Sequence, residues 1–282
     1  MRLVFRPPRR QRATMDPAQL NLRVAAARAV VLAQVDLLHR EFGRAESRWK
    51  ADGTRVTAID VAISEGIFRD LAREFPADQF LSEELPDPAG PVAVTRAFAW
   101  ILDPIDGTNN FALGIPQCAI SLALLWDGEP VYGVVYDLGR RRLLHGGPGL
   151  GVFDGDVPAR VSARPVSRET LVGFHSPGDK ALLPAATAVL ADFKIRGLGS
   201  ATLHLVYVAA GLLDGCVDFN VKIWDLAAAI PLVRAAGGEV HFLNGEQLPV
   251  RRFDLGMPRI VYLAGSPALC RLLRDRMAGK RD

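Results

Sequence analysis

The sequence predicts an α/β protein in two parts that share a cleft, and three observations carry that assignment. A buried apolar run, Phe98 to Leu102, leads straight into a carboxylate-bearing turn, Asp103-Pro104-Ile105-Asp106-Gly107-Thr108. Strand-like segments dominate from there to about residue 155. Beyond that point short apolar strands alternate with helical segments, the pattern of a layered α/β unit. The division this implies is a basic extension over 1–14, an α+β part over 15–155 that carries most of the acidic markers, and an α/β part over 156–282.

Taken in order, Asp16-Pro17 is a helix start, and Leu20, Val24, Ala27, Val31, Val35 and Leu38 keep helical spacing up to a stop at Gly43. The polar stretch from Arg44 to Arg55, which contains Lys50, reads as a mobile loop. Thr57 opens a second helix with Asp60 in its first turn and Ile63, Ile67, Leu71 and Phe75 on one face. Gln79-Phe80-Leu81 is a short strand followed at once by Ser82-Glu83-Glu84, and a Pro-rich loop spans 85–96. Cys118–Trp126 and Pro130–Asp137 form a hairpin around Asp127-Gly128. Arg141–His145 and Gly151–Phe153 are strands separated by a turn at Gly146-Gly147 and Gly149. In the second part, strands are expected at Leu171–Phe174, Phe193–Ile195, Cys216–Phe219, Val240–Phe242 and Ile260–Ala264. Helices are expected at Ala181–Leu190, Ser200–Leu212, Asp225–Ala236 and Pro267–Met277, with Gly237-Gly238 as a stop.

The chain has 282 residues, 49% of them hydrophobic and 23% charged, with a formal net charge of +3. Residues 1–14 hold five arginines and no acid; removing those five from +3 leaves −2 for the rest. A body so near neutrality argues against a nucleic-acid partner. The extension reads either as a basic arm or as a stretch ahead of a start at Met15, and it is expected to be disordered. It has no apolar core of signal-peptide length. Cys118, Cys216 and Cys270 lie far apart without a CxxC pair, so they read as small buried hydrophobes in a reducing compartment. The longest uncharged run, 197–213, is interrupted by Ser200, Thr202 and His204 and is too short to span a bilayer. A cytoplasmic protein with no membrane partner is expected.

The acidic markers carry the chemistry. Two carboxylates held where a strand ends repel one another unless a cation sits between them. Hard oxygen donors of this kind suit Mg²⁺. Each marker also has an ordinary structural explanation. Asp103 and Asp106 fit turn formers, Asp60 a capping residue, Glu83 a surface acid, and Asp225 a helix-dipole partner. The five histidines sit in no motif and read as structural.

Together, TAID (Thr57–Asp60), SEE (Ser82–Glu84), WILDPIDGTNNF (Trp100–Phe111), GSA (Gly199–Ala201), WDLAAA (Trp224–Ala229) and AGG (Ala236–Gly238) resemble the inositol monophosphatase family of Mg²⁺-dependent, typically lithium-sensitive phosphatases. The order and spacing match from about residue 17 to 278. The resemblance implies a layered αβαβα sandwich, a homodimer, and two or three Mg²⁺ ions per site. It implies Glu83, Asp103 and the Ile105 carbonyl as ligands of a first metal. Asp103, Asp106 and Asp225 would hold a second, and Asp60 would help to hold a third. Thr108, with Glu83, would orient a metal-activated water for direct attack. Gly107 and Thr108 would receive the phosphate beside Asp106 and Asp225, and Gly199, Ser200, Ala201 and Asp218 would line the substrate pocket.

Departures from the family pattern bear on the substrate. Ser82 stands where a glycine is common, and Asn109 where a threonine is frequent. Asp218 replaces the glutamate that inositol-specific members direct at the sugar hydroxyls. The implied activity is hydrolysis of inositol monophosphate or a similar polyol phosphate. Fructose 1,6-bisphosphate, histidinol phosphate and 3′-phosphoadenosine nucleotides are alternatives in the same chemistry. Of these the nucleotide lacks an obvious base-binding pocket beyond Phe219 and Lys222. A transcription-associated binding protein on the same scaffold is the alternative from another class.

Overall fold

The computed structural model describes residues 15–49, 55–84, 90–175, 177 and 179–280. The extension 1–14, Lys50 and residues 85–89 of the Pro-rich loop lie outside the described residues. A seven-stranded sheet runs in the order Val157–Pro158, Gly151–Asp154, Arg142–Gly147, Glu129–Asp137, Ala119–Trp126, Phe98–Asp106 and Gln79–Ser82. Its neighbours are antiparallel except the last pair, which is parallel. A five-stranded sheet runs Lys194–Arg196, Leu171–His175, Gly215–Val221, Ile260–Gly265 and Glu239–Phe242. Its first three strands are parallel and the last two antiparallel.

Alternation along the central strand explains the layering. Phe98, Trp100 and Leu102 face the outer helices Pro17–Leu32 and Ala58–Glu74, burying Leu20, Val31, Ile63, Ile67 and Leu71 between them. Ala99 and Ile101 face the opposite way, into a middle layer built by the helices Ala201–Ala209, Ile223–Ala227 and Ala229–Ala235. That layer also packs on Val221, Tyr262 and Ala264 of the second sheet, whose far face is covered by Leu183–Asp192 and Pro267–Met277. The result is the αβαβα sandwich expected. A strand buried on both faces has no need of polar alternation, which is why this one reads as a continuous apolar run.

Small residues set the spacing of the middle layer. A Cβ on Gly133 would lie 1.8 Å from the Ala228 carbonyl oxygen, so the helix pair rests directly on strand backbone. Replacing Gly133 with alanine is expected to cost about 1–3 kcal/mol through overpacking. Chemical denaturation should show a lower midpoint with an unchanged slope, and an unchanged midpoint would contradict the close approach.

Several expected elements differ. The first helix breaks after Leu32 and resumes at Val35, with Gln34 N–H turned to the Val31 carbonyl at 3.1 Å. The Gln34 carboxamide is buried against Gly66 of the facing helix. The segment expected to be a mobile loop contains an antiparallel ladder of Ser47–Trp49 with Arg55–Thr57. There the Arg55 guanidinium lies 4.4 Å over the Trp49 ring and donates to Ser47 Oγ. The Asp127-Gly128 hairpin forms with both residues at positive φ. Gly146 and Gly147 belong to the strand Arg142–Gly147 and not to a turn, because the neighbouring strands pass too close for side chains there.

The helix expected from Asp225 starts earlier, at Ile223, and is interrupted at Ala228. Pro231 has no N–H to offer the carbonyl four residues back, at Ala227, where the first segment ends. The central strand, expected to stop at Asp103, continues to Asp106 through a register shift. Pro104 cannot donate to the ladder, and a bulge accommodates it.

Candidate active site

That bulge builds the site. In a regular strand, residues three apart point to opposite faces. The irregularity between Asp103 and Asp106 instead lets both border one cleft of about 460 Å³. Glu83, Asp225, Gly107, Thr108 and Ile105 border it as well. Glu83, Asp103 and Asp225 each bring an oxygen within 4.8 Å of the others. These are hard donors from three separate elements: the end of the parallel edge strand, the bulge and the middle helix.

Asp103, Asp106 and Asp225 each accept hydrogen bonds through one oxygen. Asp106 Oδ2 accepts from Ser200 Oγ at 2.5 Å and from the Thr202 N–H at 2.6 Å. Asp225 Oδ2 accepts from the Lys222 N–H at 2.7 Å, closing the first turn of its helix. Asp103 Oδ1 accepts from the Ile105 N–H at 3.1 Å. Burial, reinforced by the charge of Glu83 and the other acids, pushes the Asp103 carboxyl well above the usual range. Burial, with Asp106 and Glu83, does the same to Asp225. Asp106 is also raised by burial, against the hydrogen bonds from Ser200 and Thr202. A cluster this crowded favours either protons or a cation.

Asp60 does two things at once. Its Oδ2 accepts from the Thr57 N–H and hydroxyl, both at 2.7 Å, which is the capping box. Its Oδ1 lies 3.3 Å from Thr108 Oγ, which donates to the Ile105 carbonyl at 2.8 Å. The capping bonds and the contact to Thr108 therefore fall on different oxygens. Gly107 makes the turn into the helix Thr108–Leu113 at φ +88°, and a Cβ there would sit 2.9 Å from the Gln117 carbonyl. Asn110 pins this helix to the opposite loop by donating to the Gln117 and Leu198 carbonyls.

The other residues predicted to line the pocket divide. Gly199 borders the cleft, whereas Ser200 and Ala201 are buried behind it, Ser200 as the partner of Asp106. Asp218 is fully buried and does not border the cleft. Its place at the wall is taken by His175, which the sequence placed in no motif. Trp49, Arg55, Asn220, Lys222 and Arg259 also line the cleft and carry no signal in their local sequence. Phe219 is buried in the outer core. The three cysteines are free and buried; Cys270 has donor neighbours, Glu239 and His241, within 4.8 Å.

The layered fold and its carboxylate-lined cleft are those of a phosphatase, a hydrolase of phosphate esters. The sequence model of the inositol monophosphatase family matches residues 18–278, and the chain belongs to that family. It is 36% identical over 221 residues to an inositol-1-monophosphatase of Mesorhizobium japonicum, covering 74% of this chain and 81% of the relative. It is 31% identical over 271 residues to the Nus factor SuhB of Xylella fastidiosa, covering 93% and 94%. The structure of a Thermotoga maritima IMPase superposes with a TM-score of 0.77 at 27% identity, over 93% of this chain and 97% of that one. Among the described residues no helix is long and apolar enough to cross a membrane.

Proposed function

We propose that the protein is a Mg²⁺-dependent phosphomonoesterase acting on a small phosphorylated alcohol, inositol monophosphate or a similar polyol phosphate. The observation that carries this is the convergence of Glu83, Asp103 and Asp225 within 4.8 Å beside Asp106 and Thr108 in one cleft. The donor set fits the metal: oxygen donors only, several of them anionic, buried, and crowded enough to need positive charge. Glu83, Asp103 and the Ile105 carbonyl would hold one ion, Asp103, Asp106 and Asp225 another, and Asp60 would support a third. When bound, the ions supply charge neutralisation of the phosphate dianion and a lowered pKa for water.

The chain's own residues do the rest. The Thr108 hydroxyl, donating to the Ile105 carbonyl, keeps its lone pairs for an incoming water O–H. Glu83, which borders the same cleft, would take that water's proton. Gly107 and Thr108 border the space where phosphoryl oxygens would lie. No histidine or cysteine nucleophile is needed for direct hydrolysis.

Phosphate release with Mg²⁺ tests the reading across inositol 1-phosphate, glycerol 2-phosphate, fructose 1,6-bisphosphate, histidinol phosphate and 3′-phosphoadenosine 5′-phosphate. Turnover that chelation of Mg²⁺ abolishes supports it, and the ranking names the leaving group. A folded protein that releases no phosphate from any of them would sink it. That outcome would favour the second reading, a transcription-associated binding protein, which the relative named as a Nus factor supports through its 93% coverage of this chain. A cytoplasmic homodimer, inhibited by Li⁺ and divided near residue 155 into two subdomains, completes the proposal. Sedimentation equilibrium checks the assembly.

A further inference from the structure

The cleft wall also has a chemistry apart from the carboxylates. His175 ends the strand Leu171–His175, and Asp218 sits beside it in register on the parallel strand Gly215–Val221. The buried Asp218 accepts from His175 Nδ1 at 3.2 Å, and its Oδ1 accepts from the Asn220 N–H at 3.1 Å. His204 closes the far side. Its Nε2 accepts from the Leu198 N–H at 3.1 Å, so the proton is on Nδ1, which faces Asp218 Oδ2 at 3.7 Å. Burial pushes the Asp218 carboxyl up, but the contacts from His175 and His204 together bring it below its ordinary value, so it stays ionised.

An ionised carboxylate on Nδ1 fixes the ring of His175 and leaves Nε2 as its remaining polar atom. The residue borders the cleft and is partly exposed. The bond to Asp218 also raises its pKa, against desolvation, so the ring holds a proton to higher pH. Arg259 borders the same space and is near enough to His175 to oppose that protonation. Among the described residues no ion pair or hydrogen bond engages the Arg259 guanidinium. A planar five-donor cation at a cleft wall is suited to a carboxylate or phosphate oxygen pair.

We propose that His175, positioned by the buried Asp218, and Arg259 form a subsite for a second oxyanion on the alcohol part of the phosphoester, in the same cleft as the acids. This rests on the phosphatase reading above and narrows it: the substrate class is a phosphate monoester whose leaving alcohol itself carries a carboxylate or a further phosphate. Asp218 is then a positioning residue, which acts on the leaving group through His175.

Matched substrates test it with Mg²⁺ present: glycerol 3-phosphate against 3-phosphoglycerate for the carboxylate, and fructose 1-phosphate against fructose 1,6-bisphosphate for the phosphate. The anionic member of at least one pair should have the higher kcat/KM, chiefly through KM, by on the order of ten- to a hundredfold. In Arg259→Gln and in His175→Gln that ratio should fall toward one. Glycerate should inhibit competitively where glycerol does not, and less so in Arg259→Gln, a measurement that needs no turnover of the anionic substrate. Asp218→Asn, with folding checked by its melting transition, should lower the same ratio through the loosened imidazole. Hydrolysis of both members with equal kcat/KM, unmoved by Arg259→Gln, would overturn the subsite and leave the phosphatase standing. No hydrolysis of any member by a protein that hydrolyses inositol 1-phosphate would overturn the subsite alone, and no phosphate release from any of these substrates or inositol 1-phosphate would overturn both.

Discussion

Asp106→Asn is expected to lower kcat/KM on every phosphate monoester the protein hydrolyses, by on the order of 10²–10³-fold, while the protein stays folded. The geometry separates the two effects. Oδ2 of Asp106 is the acceptor that Ser200 Oγ and the Thr202 N–H hold at 2.5 and 2.6 Å, and an asparagine oxygen can keep that place. What disappears is the charge, and the other oxygen becomes an N–H₂ group that cannot bind a cation. Because burial already holds this carboxyl above its usual pKa, a neutral isostere removes an unfavourable charge from the metal-free protein. The melting temperature without Mg²⁺ should therefore be equal to or higher than that of the wild type, and the gain on adding Mg²⁺ should be smaller. Phosphate-release kinetics and melting curves with and without Mg²⁺ check both parts. Near-wild-type turnover would remove Asp106 from the reacting centre.

Arg23→Ala should produce the largest loss of stability, about 3–5 kcal/mol. Arg23 lies on the first helix, inside the outer layer, where a charged residue is rare. Its Nε and Nη2 make a bidentate pair with Asp78 at 2.9 and 2.8 Å, and its guanidinium lies 3.8 Å over the Phe98 ring. Trp100 Nε1 donates to the same Asp78 carboxylate at 2.9 Å. Removing the arginine leaves a buried carboxylate with a single indole donor, which is the costly half of such a pair. Arg23→Met together with Asp78→Asn removes both charges and should recover much of the loss, since the Trp100 bond survives on a neutral acceptor. Denaturant titration of the single and double variants measures the recovery. A double variant no more stable than Arg23→Ala would mean that packing, and not the orphaned charge, dominates.

The fold was legible where local chemistry is unambiguous. The Asp127-Gly128 turn, the Thr57–Asp60 capping box, the double-sided apolar run at Phe98–Leu102 and the alternation after residue 155 all appear in the structure in their expected roles. Boundaries failed for two kinds of reason. Gln34 meets Gly66 of another helix, a partner that helical spacing does not encode. The break at Ala228 and the ladder at Ser47–Trp49 are local, set by Pro231 and by Arg55 over the Trp49 ring, and a reading of apolar spacing and polarity passed over them.

The same division holds for the site. By itself the sequence determined which residue types were available and in what order: Asp60, Glu83, Asp103, Asp106, Thr108 and Asp225, in motifs dense enough to mark the family. Only the tertiary structure decided what those groups face. A bulge at Pro104 turns Asp103 and Asp106 to the same cleft although a regular strand would separate them. Strand register sets Asp218 beside His175, so that a carboxylate expected at the pocket wall is buried and a histidine without a motif stands there. The physical reason is common to both. Side-chain direction in a strand follows from pleat, register and neighbours, and those are set by pairing between segments far apart in the chain.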